Sequence, residues 1–273
     1  MDEHIDVLIP TCDRPIALAV TLTALASQRP LLRIVISDQS AEDDKLDAPE
    51  LQGVIRYLHY LGHVIEIHRH WPRRGMAEQR AFLLAQARSA HCLFLDDDVI
   101  TEAGLVARME GLLLNERCGF VGSALHGLSH VNDYRPDEEA IAFWDGGVMP
   151  ESVTPDSPAW QRHRLHNAAN LLHVQQALAL SPLISLRYQV AWVGGCVMYD
   201  RTKLIDCGGF DFWEALPPEH CGEDVLAQLR VMAKYGGCGL IPSGAYHLEL
   251  PTTLPDRRIN APVALGFGRE GKP

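Results

Sequence analysis

No stretch of apolar residues in this chain approaches the roughly 18 that a membrane span requires. Any attachment to a bilayer therefore has to be peripheral. There is no C-x-x-C pair either. The seven cysteines, Cys12, Cys92, Cys118, Cys196, Cys207, Cys221 and Cys238, are an odd set, and several lie inside apolar runs, as small buried residues do. That usage predicts reduced thiols in a cytoplasmic protein rather than a disulfide framework. Positive charge is also in short supply: 24 bases stand against 35 acids, for a formal net charge of -11. Such a field repels a phosphate backbone and argues against a nucleic-acid polymer as partner. It leaves a small phosphorylated ligand open, because a bound cation inverts the local sign. Internal repeats and low-complexity tracts are missing too, and the acidic MDEHIDVLIP at the start reaches a turn too soon for a secretory leader.

What is present is an alternation. The 273 residues, 47% of them hydrophobic, suffice for one large α/β domain or two small ones. Apolar runs at 5–10 (IDVLIP), 32–38 (LRIVISD), 63–70 (HVIEIHRH) and 91–98 (HCLFLDDD) read as strands. Helical stretches at 14–28, which carries Pro15 early, and at 75–89 separate some of them. Fully apolar strands alternating with helices predict a mostly parallel sheet covered on both faces. Ligands then bind beyond the carboxyl ends of the strands, where Asp38 and Asp96 to Asp98 fall. The segment 126–190 changes character, with five histidines, several prolines and no strand rhythm, although 160–180 can form a helix. Strand and helix return at 189–200 and in EDVLAQLRVMAKYGG (223–237), where paired glycines end the helix. From Pro251 onward the composition predicts a loop.

CLFLDDDVI (92–100) poses the functional question. One reading is a solvated cap for a helix over 101–115, with Thr101 at its N-cap. The other uses strand geometry: in an extended chain Asp96 and Asp98 share a side, and two such carboxylates repel unless a cation lies between them. Mg2+ and Mn2+ favour one or two carboxylates completed by substrate phosphates. Both readings stay open on spacing alone. The preceding helix adds Arg80 on the same face as Met76, Leu83, Leu84 and Ala87, where a charge needs a partner. An aspartate from the neighbouring strand end or a ligand phosphate would serve, as would snorkelling to solvent.

Taken together, PTCDR (10–14), VISDQS (35–40), RGMAEQR (74–80), FLDDDV (94–99), GGFD (208–211) and GED (222–224) resemble, in order, the signatures of family 2 glycosyltransferases. The resemblance implies a GT-A fold over 1–250: a nucleotide-sugar-binding half at 1–125, an acceptor-side insertion at 126–190 and a catalytic half at 191–250. A tail or lid follows at 251–273. It implies an inverting enzyme that moves a sugar from a nucleoside-diphosphate sugar, with UDP as the expected nucleotide, to an unidentified acceptor hydroxyl. Asp38 matches the acid that binds the base, although Ser37 and Gln39 depart from the pattern around it. Pro10, Thr11 and Arg14 match the first-strand turn beside the nucleotide. Arg74 and Gly75 open the element that carries Arg80, flanked unusually by Gln79 and Ala81. Asp96 and Asp98 match the D-x-D pair that contacts ribose and a divalent Mn2+ or Mg2+, with Asp97 between them. Gly194 and Gly195 match small residues lining the sugar site, which Trp192 and Trp213 can flank. Asp224 matches the catalytic base, with Glu223 as the alternative. His247 matches a histidine that contacts metal or phosphate in this fold. The family also uses its metal to stabilise the leaving diphosphate. A sugar nucleotidyltransferase would want a glycine-rich basic loop after the first strand, which PTCDRPIALAV lacks. A catalytically silent nucleotide-sugar binder is the remaining alternative.

Overall fold

The computed structural model describes residues 4–42, 44–181, 184–253 and 257–268. In chain order the elements are β1 (Ile5–Thr11), α1 (Pro15–Leu25), β2 (Leu32–Asp38), α2 (Pro49–Tyr60), β3 (Val64–Arg69), α3 (Met76–Gln86), β4 (His91–Leu95), β5 (Val99–Thr101) and α4 (Leu105–Glu116). They continue with β6 (Phe120–Gly122), α5 (Asn170–Ala177), β7 (Leu186–Tyr188), β8 (Cys196–Asp200), α6 (Arg201–Asp206), α7 (Glu223–Tyr235), β9 (Gly237–Ile241), β10 (Ala245–His247) and α8 (Ala261–Ala264).

Eight strands form one sheet in the order β3-β2-β1-β4-β8-β6-β9-β7. The pairs β3/β2, β2/β1, β1/β4 and β6/β9 are parallel, whereas β8 and β7 run antiparallel to their neighbours. The sheet is thus mixed and mostly parallel. Alternate residues of the buried strands feed two cores. Leu8, Val35, Phe94 and Tyr199 pack with α3 and α7 on one face. Val7, Ile9, Ile34 and Ile36 pack with α1, α2 and α4 on the other. At a coefficient of about 25 cal/mol per Å², each such side chain stabilises the fold by roughly 1.5–3 kcal/mol when removed from water.

Several local expectations change. Thr101 is no helix cap. The β-branched run Val99–Thr101 instead pairs with Ala245–His247 as a two-stranded ribbon. The helix waits until Leu105, after Gly104 turns the chain at φ 79, and Gln28, in the loop after α1, accepts the Val106 N–H at 3.2 Å. The stretch 160–180 is not one helix: a 3₁₀ segment at Pro158–His166 precedes α5. Segment 126–190 also contributes β7 to the sheet edge. The region after Pro251 is only partly loop. Cys221 exchanges backbone hydrogen bonds with Ile259 and Ala261, and α8 packs on α7. Residues 1–3 of the N-terminal stretch, and 254–256 and 269–273 of the tail, lie outside the described residues.

Candidate active site

Beyond the carboxyl ends of β1 and β4 lies a cleft of about 1010 Å³. Its floor is the acidic turn. β4 ends at Leu95, so Asp96, Asp97 and Asp98 do not alternate along a strand but fan out around a turn. Backbone bonds pin that turn from several elements: Asp96 N–H to the Gly195 carbonyl (2.9 Å), Thr21 Oγ1 to the Asp97 carbonyl (2.8 Å), and Leu248 N–H to the Asp98 carbonyl (2.9 Å).

Each carboxylate has its own environment. Asp97 is buried and accepts a 2.6 Å hydrogen bond from Thr11 Oγ1. Burial, helped by the charges of Asp98 and Asp96 and opposed by Thr11 and Arg14, pushes its carboxyl up to about 6. Asp98 is buried, and its Oδ2 accepts Arg14 Nη1 at 2.8 Å; the same guanidinium nitrogen lies 3.4 Å from Asp97 Oδ1. Asp96 is the most open of the three, with its side chain 35% exposed, and it leans the other way, toward Arg80 Nη2 at 3.1 Å.

Arg80 meets the expectation that a charge on an apolar helix face requires partners. Its side chain, 6% exposed, bridges Asp96 and Glu223 Oε1 (3.0 Å from Nε) and lies over the Phe94 ring. Burial pulls its pKa down, but the carboxylates of Asp96, Glu223 and Asp224 outweigh that and raise it. Glu223 and Asp224 open α7 beside it. Glu223 is buried and engaged by Arg80, whereas Asp224 is half-buried and lines the cleft. Burial and the Glu223 charge, against the pull of Arg80, push the Asp224 carboxyl up to about 7.

Most expected residues converge here. Pro10, Thr11, Arg14, Gly75, Arg80 and the three aspartates line the cleft, joined by Gly194, Gly195, Glu223, Asp224 and His247. Two do not. Arg74 is exposed and outside the wall; its neighbour Arg73 lines the cleft instead. Asp38 is buried away from it, one oxygen accepting Ser40 N–H and Oγ at 2.8 and 2.5 Å and the other Arg69 Nη1 at 3.1 Å; Gln39 takes the lining position. Trp192 lines the cleft, stacked on His163 at 4.9 Å, while Trp213, half-buried and outside the cleft wall, packs against the core. Gly194 faces open space, but a Cβ on Gly195 (φ 75) would meet Leu125 at 2.5 Å and Asp96 Oδ2 at 3.2 Å. His247 Nε2 lies 3.6 Å from Asp98 Oδ1.

Two positioning residues escape sequence reasoning. Gln79, which departs from the family pattern, is buried and donates to the Ser37 carbonyl (2.8 Å), bracing the end of β2. His220 accepts the Ala77 N–H at 3.1 Å and caps α3 from the loop before α7. It holds Arg80 and the Glu223–Asp224 pair in one frame, and no sequence spacing announces that contact.

The donor set suits a divalent cation shared with substrate. Asp98, turned to Arg14, and Asp96, turned to Arg80, are the carboxylates that would hold one, and no group of three or more His, Cys, Asp or Glu suited to a metal occurs among the described residues. Mg2+ and Mn2+ bound through one or two carboxylates take their remaining ligands from phosphates and water.

Comparison with known proteins bears on the fold and the family. Among solved structures, S. aureus TarS 1-349 in complex with UDP-GlcNAc superposes with a TM-score of 0.55 at 16% identity, covering 92% of this chain and 60% of its own. The mannosyltransferase PcManGT from Pyrobaculum calidifontis, in complex with GDP-Man and Mn2+, gives 0.51 at 16% identity, with coverage of 86% and 56%. GalNAc-T7 with UDP, GalNAc and Mn2+ gives 0.56 at 13%, with coverage of 89% and 43%. These likenesses show a shared GT-A fold, and the chain spans less than two thirds of each of these structures. No curated protein matches it significantly in sequence. The sequence model of glycosyl transferase family 2 matches residues 6–174, taking in most of the segment 126–190 that has no recognisable signature of its own, and stopping short of Gly194, Gly195, Glu223 and Asp224. On that match, over more than half its length, the chain belongs to glycosyl transferase family 2.

Proposed function

We propose that this cleft transfers a sugar from a nucleoside-diphosphate sugar to an acceptor hydroxyl with inversion at the anomeric carbon. The observation that carries the reading is Asp224: a half-buried carboxylate raised to about 7, opening into the same cleft as an arginine-tied acidic turn. A general base works best when its pKa lies near the working pH. Asp224 takes the proton of the acceptor hydroxyl, the acceptor oxygen bonds to the anomeric carbon, and the carbon–oxygen bond to the diphosphate breaks, its electron pair leaving with the phosphate. One displacement from the opposite face inverts the centre. Glu223 is less suited, because its Oε1 already accepts from buried Arg80. When bound by Asp98 and Asp96, Mn2+ or Mg2+ would neutralise charge developing on the diphosphate. Arg73, Gln39 and the first-strand turn at Pro10 and Thr11 wall the nucleotide side, and Trp192 with Gly194 walls the sugar and acceptor side.

UDP is the expected nucleotide. Structural relatives in complex with UDP or UDP-GlcNAc support it, and the one with GDP-Man keeps a guanosine donor in play. We read 1–250 as a single GT-A unit whose segment 126–190 faces the acceptor, and 251–273 as a C-terminal tail or lid. We further propose that the protein acts in the cytoplasm; no helix among the described residues is long and apolar enough to cross a membrane.

The test is Asp224→Asn. Release of UDP from UDP-sugars should fall roughly 10²–10⁴-fold, the range for loss of a general base, while UDP affinity stays within about twofold. Wild-type turnover should rise with pH through about 7 as Asp224 ionises. Near-normal turnover in the variant removes Asp224 as the base. Failure of UDP-, GDP- and dTDP-sugars alike to raise Tm, with and without Mn2+, removes the transferase reading.

A further inference from the structure

His247 closes β10, and its surroundings decide what its ring can do. Its N–H donates to the His126 carbonyl (3.0 Å), and the next residue bonds to Asp98 (2.9 Å), so the imidazole stands fixed beside the acidic turn. The chain then turns sharply. Glu249 adopts φ 56, a left-handed conformation costly for a residue with a side chain. That turn aims the Glu249 backbone N–H at His247 Nδ1, 2.8 Å away. A backbone N–H can only donate, so Nδ1 holds a lone pair and the ring proton sits on Nε2. Nε2 is the atom 3.6 Å from Asp98 Oδ1, at the cleft.

The turn is held from outside. The Glu249 carboxylate accepts the Ser129 N–H at 2.9 Å and Ser129 Oγ at 2.6 Å. Gly127 leaves the space, since a Cβ there would stand 3.1 Å from Glu249 Oε1. A histidine that ligates a metal through one ring nitrogen donates the other N–H to an acceptor. Here the other nitrogen faces a donor, the reverse of that arrangement.

We propose that Glu249, braced by Ser129, is a positioning residue that locks the His247 proton on Nε2, so that the imidazole meets the substrate diphosphate as a hydrogen-bond donor and stays outside the metal's ligand set. The diphosphate part rests on the function proposed above; the lock itself does not. A divalent cation held by Asp98 and Asp96 would take its remaining ligands from phosphate oxygens and water.

Two measurements on the full chain test it. Long-range ¹H–¹⁵N correlation spectra of ¹⁵N-histidine protein, with the His247 signals identified by their loss in His247→Gln, should show Nδ1 unprotonated and Nε2 protonated. Glu249→Gly, and to a smaller extent Ser129→Ala, which keeps the residue 129 backbone N–H bond to Glu249, should raise the share of the Nδ1–H tautomer and weaken Mg2+–UDP binding by up to roughly tenfold, the size of one hydrogen bond. Glu249→Gln, which still accepts from Ser129, should restore both. In the Mn2+–UDP complex, electron spin-echo modulation should show no directly coordinated nitrogen. A proton on Nδ1 in the free protein, or a coordinated nitrogen signal that vanishes in His247→Gln, overturns the proposal. A locked tautomer in a protein that binds no nucleotide overturns instead the reading on which its diphosphate part rests.

Discussion

The two ends of the sheet hold buried charge in opposite ways. At the amino end, Asp6 on β1, Arg33 on β2 and Glu66 on β3 form a closed set. Arg33 bonds Glu66 twice at 2.8 Å and Asp6 at 2.9 Å, and the second Asp6 oxygen accepts the Arg88 and Ser89 N–H groups. At the carboxyl end five carboxylates, Asp96, Asp97, Asp98, Glu223 and Asp224, share two guanidiniums, Arg14 and Arg80. The first arrangement satisfies itself, because the Arg88 guanidinium, 3.4 Å from Glu66 Oε1, supplies the second positive charge. The second holds surplus negative charge in a partly desolvated cleft, tolerable because Asp97 and Asp224 take up protons more readily there, and further relieved by a cation. A balanced buried network braces the fold; an unbalanced one at a strand end is a binding site still missing a partner.

The sharpest way to break that comparison is to remove the central arginine at each end. Arg33→Met and Arg80→Met should each lower unfolding free energy by about 3–5 kcal/mol, because each strands buried carboxylates. Chemical denaturation measures this. Only Arg80→Met should also change UDP affinity; an equal change in Arg33→Met would erase the distinction between the ends.

Stability against pH separates them by sign. The ordinary carboxyl value of 3.8 is raised to about 6 in Asp97 and about 7 in Asp224. Their contribution is fully present below about pH 4 and is lost as pH rises through 6 to 7, by about 3 kcal/mol for Asp97 at roughly 1.4 kcal/mol per unit. Glu66 runs the other way: its Arg33 hydrogen bonds hold it below its ordinary 4.5, so its contribution is present above that value and lost as pH falls below it. Asp97→Asn should therefore flatten the decline in Tm between about pH 4 and 6, Asp224→Asn that between about pH 4 and 7, and Glu66→Gln the decline on the acid side. Unchanged slopes would contradict the assigned environments.

The smallest effects distinguish the paired glycines. Gly195→Ala should cost about 1–3 kcal/mol, since its φ of 75 and its contact with Leu125 leave no room. Gly194→Ala faces open space and should change stability by no more than about 0.5 kcal/mol, while weakening UDP-sugar more than UDP if it lines the sugar site. Thermal melts and paired titrations read both.

How far the sequence reaches follows from what kind of signal each residue carries. Arg80 was legible because a charge on an apolar helical face violates local patterning, and the violation has to be resolved by a partner. The acidic turn was legible because three charges directly after an apolar strand do the same. Arg74 and Asp38 stand outside the cleft wall for a shared reason: motif position fixes a residue's place along the chain but not its direction. Just before Gly75, the cleft wall takes Arg73 rather than Arg74. Ser40 and Arg69 hold Asp38 out of it. Thr101 looked like a cap because nothing local announces a β partner 144 residues onward at Ala245. His220 and Glu249 carry no local signal at all.

By itself, then, the sequence determined the alternation of buried strands and helices, the end of the sheet where chemistry gathers, and the family to which the chain belongs. Those properties follow from periodicity and from burial, which are written residue by residue. Only the tertiary structure decided which carboxylates are braced and which stay open, that Asp96 turns to Arg80 while Asp98 turns to Arg14, and which nitrogen of His247 faces the cleft. Hydrogen bonds between residues distant in sequence set those choices, and their geometry exists only once β1, α3, α7 and β10 have come together.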